Sequence, residues 1–195
     1  MLVLWAVTAL ALEALRLHGE GPADVGFRPP RHLQDVLAAL LAVGLLLAIT
    51  AGPRGAVPRS YAERVAPVLP HSPVDWLWFV PLAATAGMCE EFLYRGYALT
   101  QIATLTGSLP AGVVISTAAF GLAHSYQGRL GMMGTALSGL LYAAVFLWSG
   151  SLIPCMAGHF AHDIAGAMIL LRRLKAGVGE ETGDREHGAF PHDRR

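Results

Sequence analysis

Charge is what this 195-residue sequence has least of: Asp, Glu, Lys and Arg make up 14% of it, against 54% hydrophobic residues, where ordinary globular domains carry roughly 25% charge. The 14 acidic residues cancel the 14 Lys and Arg, so no basic footprint points to nucleic acid. The two cysteines, Cys89 and Cys155, fall inside apolar stretches without framework spacing, which leaves them as small apolar packing residues rather than a disulfide. There is no H-E-x-x-H motif and no internal repeat of the transporter kind. The first apolar run has no basic segment before it and no A-x-A-like site after it, which disfavours a cleaved leader and favours a membrane span.

Apolar runs, by contrast, are abundant. They are about 17 to 20 residues long, close to the ~20 that cross ~30 Å of hydrocarbon as a helix. They predict an all-α, polytopic transmembrane bundle, with spans near 1–17, 34–52, 75–99, 108–126, 131–149 and 151–171. Residues 1–74 hold the N-terminal spans and loops, 75–171 form a four-helix core, and 172–195 form a polar tail expected to be disordered and cytoplasmic. Pro and Gly make loops of 16–32 and 52–73. If the spans alternate, Arg54, Arg59, Arg64, Arg129, Arg172, Arg173 and Lys175 share one membrane face. Arg28 and Arg31, with Arg16 at its border, share the other. The positive-inside tendency then places both termini in the cytoplasm, and the Ala-, Leu-, Gly- and Arg-rich composition leans toward a bacterial inner membrane.

Ionisable residues inside such spans are costly, at least ~2.5 to 3.5 kcal/mol each near the bilayer centre, and usually face a cavity with a task. Here they are Glu90, Glu91 and Arg95 in the third span, His124 at the end of the fourth, and His159, His162 and Asp163 in the sixth. At ~1.5 Å of rise per residue, Glu90 lies about 14 to 21 Å and His159 about 18 Å from the cytoplasmic side, so their levels agree. His124, at about 9 Å, needs a tilted or kinked helix to join them. Glu91 and Arg95 are four apart and pair on one face, while Glu90 points about 100° away and is free for another partner. His159 and Asp163 are likewise four apart, with His162 off to the side. Small residues near the motif (Gly87, Gly96) and in the last span (Ala157, Ala161, Ala165) predict close helix packing.

These residues resemble the CAAX prenyl protease and bacteriocin-processing (Abi) family of intramembrane proteases. Its patterns E-E-x-x-x-R, F-x-x-x-H and H-x-x-x-N/D read here as Glu90 to Arg95, Phe120 to His124 and His159 to Asp163, within 75–171. The resemblance implies peptide hydrolysis in or near the membrane by an activated water, without a metal cofactor, on a membrane-anchored or lipidated substrate. Glu90 would be the general base and His124 its partner. His159 and Asp163 would stabilise the oxyanion or orient the substrate, and Glu91 and Arg95 would support them. Where many members carry Asn, this chain has Asp163, which when ionised only accepts hydrogen bonds; it is expected to orient His159, or bind its imidazolium, and leave the donor function to His159 itself.

Three alternatives stand beside this reading. Glu90, His124, His159 and Asp163 are all admissible zinc ligands, as in an intramembrane metalloprotease. Ser138 and His162 faintly resemble a rhomboid-like pair, though Ala136 stands where that motif has Gly. A non-catalytic scaffold or proton-coupled carrier would use the same buried groups as relays.

Overall fold

The computed structural model describes residues 1–30, 32–51 and 57–187. Arg31 and Arg54, two of the cations used for orientation, and His192 of the tail lie outside the described residues. Among the described residues there is no strand: the elements are α1 (Leu2–Leu17), α2 (Leu33–Ala51), α3 (Arg59–Val65), α4 (Pro73–Glu91), α5 (Leu99–Thr106), α6 (Leu109–Ala123), α7 (Gly128–Ser149) and α8 (Leu152–His187). The all-α bundle is as the sequence predicts.

Element ends follow local chemistry. Ser72 caps α4, its hydroxyl accepting from the Asp75 amide while the Asp75 carboxylate accepts from the Ser72 amide at 2.8 Å. Pro73 takes the first helical position, where a missing N–H costs nothing. Past Glu91 the helix loosens without stopping: Phe92–Ala98 form a π-helical turn that runs directly into α5. The predicted third span, 75–99, is therefore the middle of a longer helical stretch. α8 likewise runs past the predicted span end at 171 and continues to His187.

α8 lies centrally, packed against α2, α4 and α7, while α6 is sandwiched between α5 and α7. Where α4 meets α8 the backbones nearly touch. A Cβ on Gly87 would stand 2.9 Å from the Met156 carbonyl oxygen and 3.2 Å from the Phe160 nitrogen. Gly87→Ala is expected to cost about 1–3 kcal/mol through overpacking, read as a lowered thermal midpoint of the purified protein; an unchanged midpoint would show that the seam yields. The row Ala157, Ala161, Ala165 does not make such a contact: Ala157 and Ala161 are exposed. The faces of α8 carrying Cys155, Gly158 and His159 take the helix contacts instead.

The 18–30 connection is a fastened cover rather than a slack loop. Val25 is fully buried, beside Leu152 in the core and against Gly96. The Leu152 amide donates to the Gly26 carbonyl at 2.8 Å, Arg28 Nε donates to the Gly150 carbonyl at 2.7 Å, and the Ser151 hydroxyl donates to the Arg28 carbonyl. Gln101 Nε2 reaches Glu20 Oε2 at 2.7 Å. Together these bonds tie the end of α1 to the α7–α8 corner and to α5.

Ser125–Ser149 is, among the described residues, the one helical stretch long and apolar enough to cross a membrane by itself; Leu33–Ile49 and Leu109–Ala123 are apolar but shorter. Asp75, Glu90 and Glu91 in α4 and the histidine-rich stretch and cations of α8 reduce the apolarity of those two helices. The outer surface is nonetheless greasy: Leu2, Leu10, Leu41, Leu77, Trp78, Leu105, Met133 and Trp148 are largely exposed, spread over α1, α2, α4, α5 and α7.

Candidate active site

The π turn is the first clue to a site, because such turns are rare and concentrate where function demands a local distortion. It carries Arg95, whose Nη1 donates to Glu91 Oε1 at 2.8 Å, with both side chains sealed from solvent at 2% and 0% exposure. The guanidinium carbon lies 4.2 Å over the centre of the Phe120 ring, a face that attracts cations. Gly139 makes room for this stack, since a Cβ there would stand 2.9 Å from both Arg95 Nη2 and Phe120 Cδ1.

Glu91 has a second partner that spacing within one helix could not reveal. His159 Nδ1 lies 2.8 Å from the same Oε1; an ionised carboxylate only accepts, so Nδ1–H donates and the imidazole is fixed in orientation. The stacked Tyr142 ring, 5.7 Å away and tilted by 10°, holds the flat side of His159. Tyr142 is fully buried on α7 and escaped the sequence reading; its one signal was being the single tyrosine in an otherwise greasy span.

His159 Nε2 points the other way, toward Glu90 Oε2 at 4.0 Å and Asp163 Oδ1 at 3.7 Å. His124 Nε2 reaches the same Glu90 oxygen at 3.9 Å. His124 is the C-cap of α6, where the chain leaves helical geometry, and its Nδ1 lies 2.9 Å from the Phe120 carbonyl. A carbonyl only accepts, so Nδ1 carries the proton and Nε2 of the neutral ring presents a lone pair toward Glu90. The depth mismatch estimated for His124 is thus resolved by its leaving the helix at a turn.

Glu90, His124, His159 and Asp163 therefore come together from three helices, with Glu91 and Arg95 behind them. Exposure separates the two groups. Glu90, His124 and Asp163 retain 13%, 17% and 31% side-chain exposure, whereas Glu91 and Arg95 are sealed. Glu90 Oε2 is buried without a hydrogen-bond partner among the described residues, as are Glu91 Oε2, Arg95 Nη2 and the Tyr142 hydroxyl. His162 is half-buried and forms no hydrogen bond or ion pair among the described residues. The Ser138 hydroxyl is turned onto its own helix, donating to the Thr135 carbonyl at 2.8 Å, so the rhomboid-like pair does not form. Among the described residues no group of three or more His, Cys, Asp or Glu side chains is arranged to hold a metal ion.

Electrostatically, the site is a carboxylate-rich, partly exposed cluster with the Arg95 cation at its back. It can hold a polar molecule between Glu90 and two imidazoles, donate from His159, and accept protons at Glu90. Residues 72–165 match the family described as type II CAAX prenyl endopeptidase Rce1-like. No curated protein and no solved structure is matched. The matched stretch, Ser72 to Ala165, holds every member of the cluster and is similar to the Rce1-like family of CAAX prenyl endopeptidases.

Proposed function

We propose that this chain is a multi-span intramembrane endopeptidase that hydrolyses a peptide bond of a membrane-anchored or lipidated substrate with a water activated by Glu90 and His124. The observation that carries the reading is the triangle of Glu90 Oε2 with the two imidazole Nε2 atoms, 3.9 and 4.0 Å distant. Polar contacts of that length are too long for direct hydrogen bonds and suit one bridging water.

The residues divide the reaction as follows. Glu90 takes a proton from the water while the His124 Nε2 lone pair holds the second hydrogen and aims the oxygen. The hydroxide adds to the scissile carbonyl carbon. The resulting oxyanion is stabilised by His159 Nε2–H, whose direction is set by the Glu91 carboxylate at its opposite nitrogen and by the Tyr142 stack. Collapse of the tetrahedral intermediate expels the amine, which receives the proton held by Glu90. Asp163, beside His159 Nε2, favours a second ring proton at that nitrogen, so that the ring acts as an imidazolium donating from both nitrogens. Burial of the cluster in a low-dielectric bundle strengthens each of these interactions. The greasy outer surface supports embedding in a bilayer, since patches this extensive are foreign to soluble monomers; six spans with both termini cytoplasmic fit the charge distribution.

The test is cleavage of a fluorogenic peptide ending in a prenylated CAAX sequence by protein reconstituted in vesicles. His124→Ala is expected to lose about 10²-fold or more in kcat/KM, while His162→Ala stays near wild type and a strong chelator leaves activity unchanged. Chelator-sensitive activity restored by zinc would replace the metal-free mechanism with the zinc alternative, and wild-type rates in His124→Ala would remove His124 from the chemistry.

A further inference from the structure

A second concavity lies well away from the cluster. It has a volume of about 400 Å³ and is walled by Pro70, His71, Ser72, Trp76, Leu171 and Lys175, between the start of α4 and the far part of α8. Trp76 precedes Glu90 by about 21 Å of helical rise, so the pocket is not part of the catalytic cleft. Its size falls in the range of small-molecule sites, about 300–1,000 Å³.

The charge around it is unbalanced. Lys175 is exposed and forms no ion pair among the described residues, and Arg172 beside it is also exposed. The nearby carboxylate, Asp75, is engaged elsewhere: its Oδ2 accepts from the His71 amide at 3.0 Å and the Ser72 amide at 2.8 Å. The His71 ring is turned to the Ala66 carbonyl at 2.8 Å through Nε2, which therefore donates. Among the described residues, what lines the pocket is the Lys175 ammonium, the Trp76 side chain and the Ser72 turn, with no free acid.

Its position completes the picture. One turn on from the pocket along the same helix faces, Val80 on α4, four residues after Trp76, and Met168 on α8, three before Leu171, are 41% and 42% exposed, an apolar wall. On α8 the apolar stretch ends at Leu171 and cations begin. Trp76, packed edge-on against Phe79 with centroids 5.5 Å apart, stands at this border, where tryptophan is favoured in membrane proteins. A ligand seated here would meet a cation at one end and an acyl-compatible wall at the other.

We infer that this pocket binds the headgroup of an anionic phospholipid, with the phosphate against Lys175 and the acyl chains along Leu171, Met168 and Val80. The inference requires that the chain lie in a bilayer, but not that it cleave peptides. The experiment is retention of phospholipid by the full chain in nanodiscs containing both phosphatidylglycerol and phosphatidylcholine, read by native mass spectrometry after ejection. Phosphatidylglycerol should be retained in preference, and Lys175→Glu should reduce its retention about five-fold or more, given the worth of one basic residue at an anionic surface. Lys175→Gln should fall in between. Millimolar inorganic phosphate should not displace the lipid. Equal retention of the two lipids, or undiminished preference in Lys175→Glu with an unchanged thermal midpoint, would overturn the site. Displacement by inorganic phosphate would also overturn it, marking a free-anion pocket. Release of the chain from membranes by alkaline carbonate would instead remove the bilayer embedding itself.

Discussion

Glu90→Gln is expected to lower kcat/KM by about 10²–10⁴-fold while the protein folds and melts as wild type does. The amide is close to isosteric with the acid, and Glu90 Oε2 has no hydrogen-bond partner among the described residues whose loss could unravel the bundle. What the substitution removes is an oxygen able to accept a water proton and return it to the leaving amine. Binding should be nearly untouched, so the loss should fall on kcat and not on KM. Cleavage of the reconstituted prenylated peptide, alongside a melting curve in the same detergent, separates the two effects. Full activity in Glu90→Gln would end the assignment of Glu90 as general base.

The neighbouring glutamate should behave in the opposite way. Glu91→Leu is expected to be the most destabilising single exchange in the cluster, at about 3–5 kcal/mol. It leaves the Arg95 charge buried at 2% exposure with its ion-pair partner gone, and it strips His159 of the carboxylate that orients it. Removing both members, as Glu91→Leu with Arg95→Leu, should restore much of the stability, because an apolar pair of similar bulk fits an apolar bundle at least as well as an ion pair does. Activity should not return, since the His159 ring would still be unanchored. Unfolding midpoints of the single and double variants decide this, and a double variant no more stable than Glu91→Leu would show that the pair does more than neutralise itself.

The contrast between these adjacent acids was legible in the sequence to a surprising depth. Helical periodicity places positions 90 and 91 on different faces, and the arginine four residues on claims only one of them. The level of Glu90 matches that of His159, and both are found in one cleft. The spacing of apolar blocks likewise yields the all-α architecture and the approximate ends of α1, α2, α6 and α7. Three things were not legible. The π turn over Phe92–Ala98 involves residues that, Gly96 apart, would be at home in an α-helix. The Glu91–His159 bond joins helices 68 positions apart, and local spacing says nothing about which of several partners a buried carboxylate will take. Tyr142 carries no motif; it matters because of the ring it lies against. The alanine row of α8 misled for a related reason: small size permits close approach without causing it, and the helix turned a different face inward.

The stitching of residues 20–28 to the α7–α8 corner bears on where this molecule can be divided. The recognisable family segment begins at Ser72, yet Val25 and Arg28, far upstream of that point, wedge into the bend from which the His159 helix departs. Homology therefore has a frontier that folding does not respect. A truncated gene encoding only the shared segment would keep every reactive group and lose the keystone that sets the angle of the last helix.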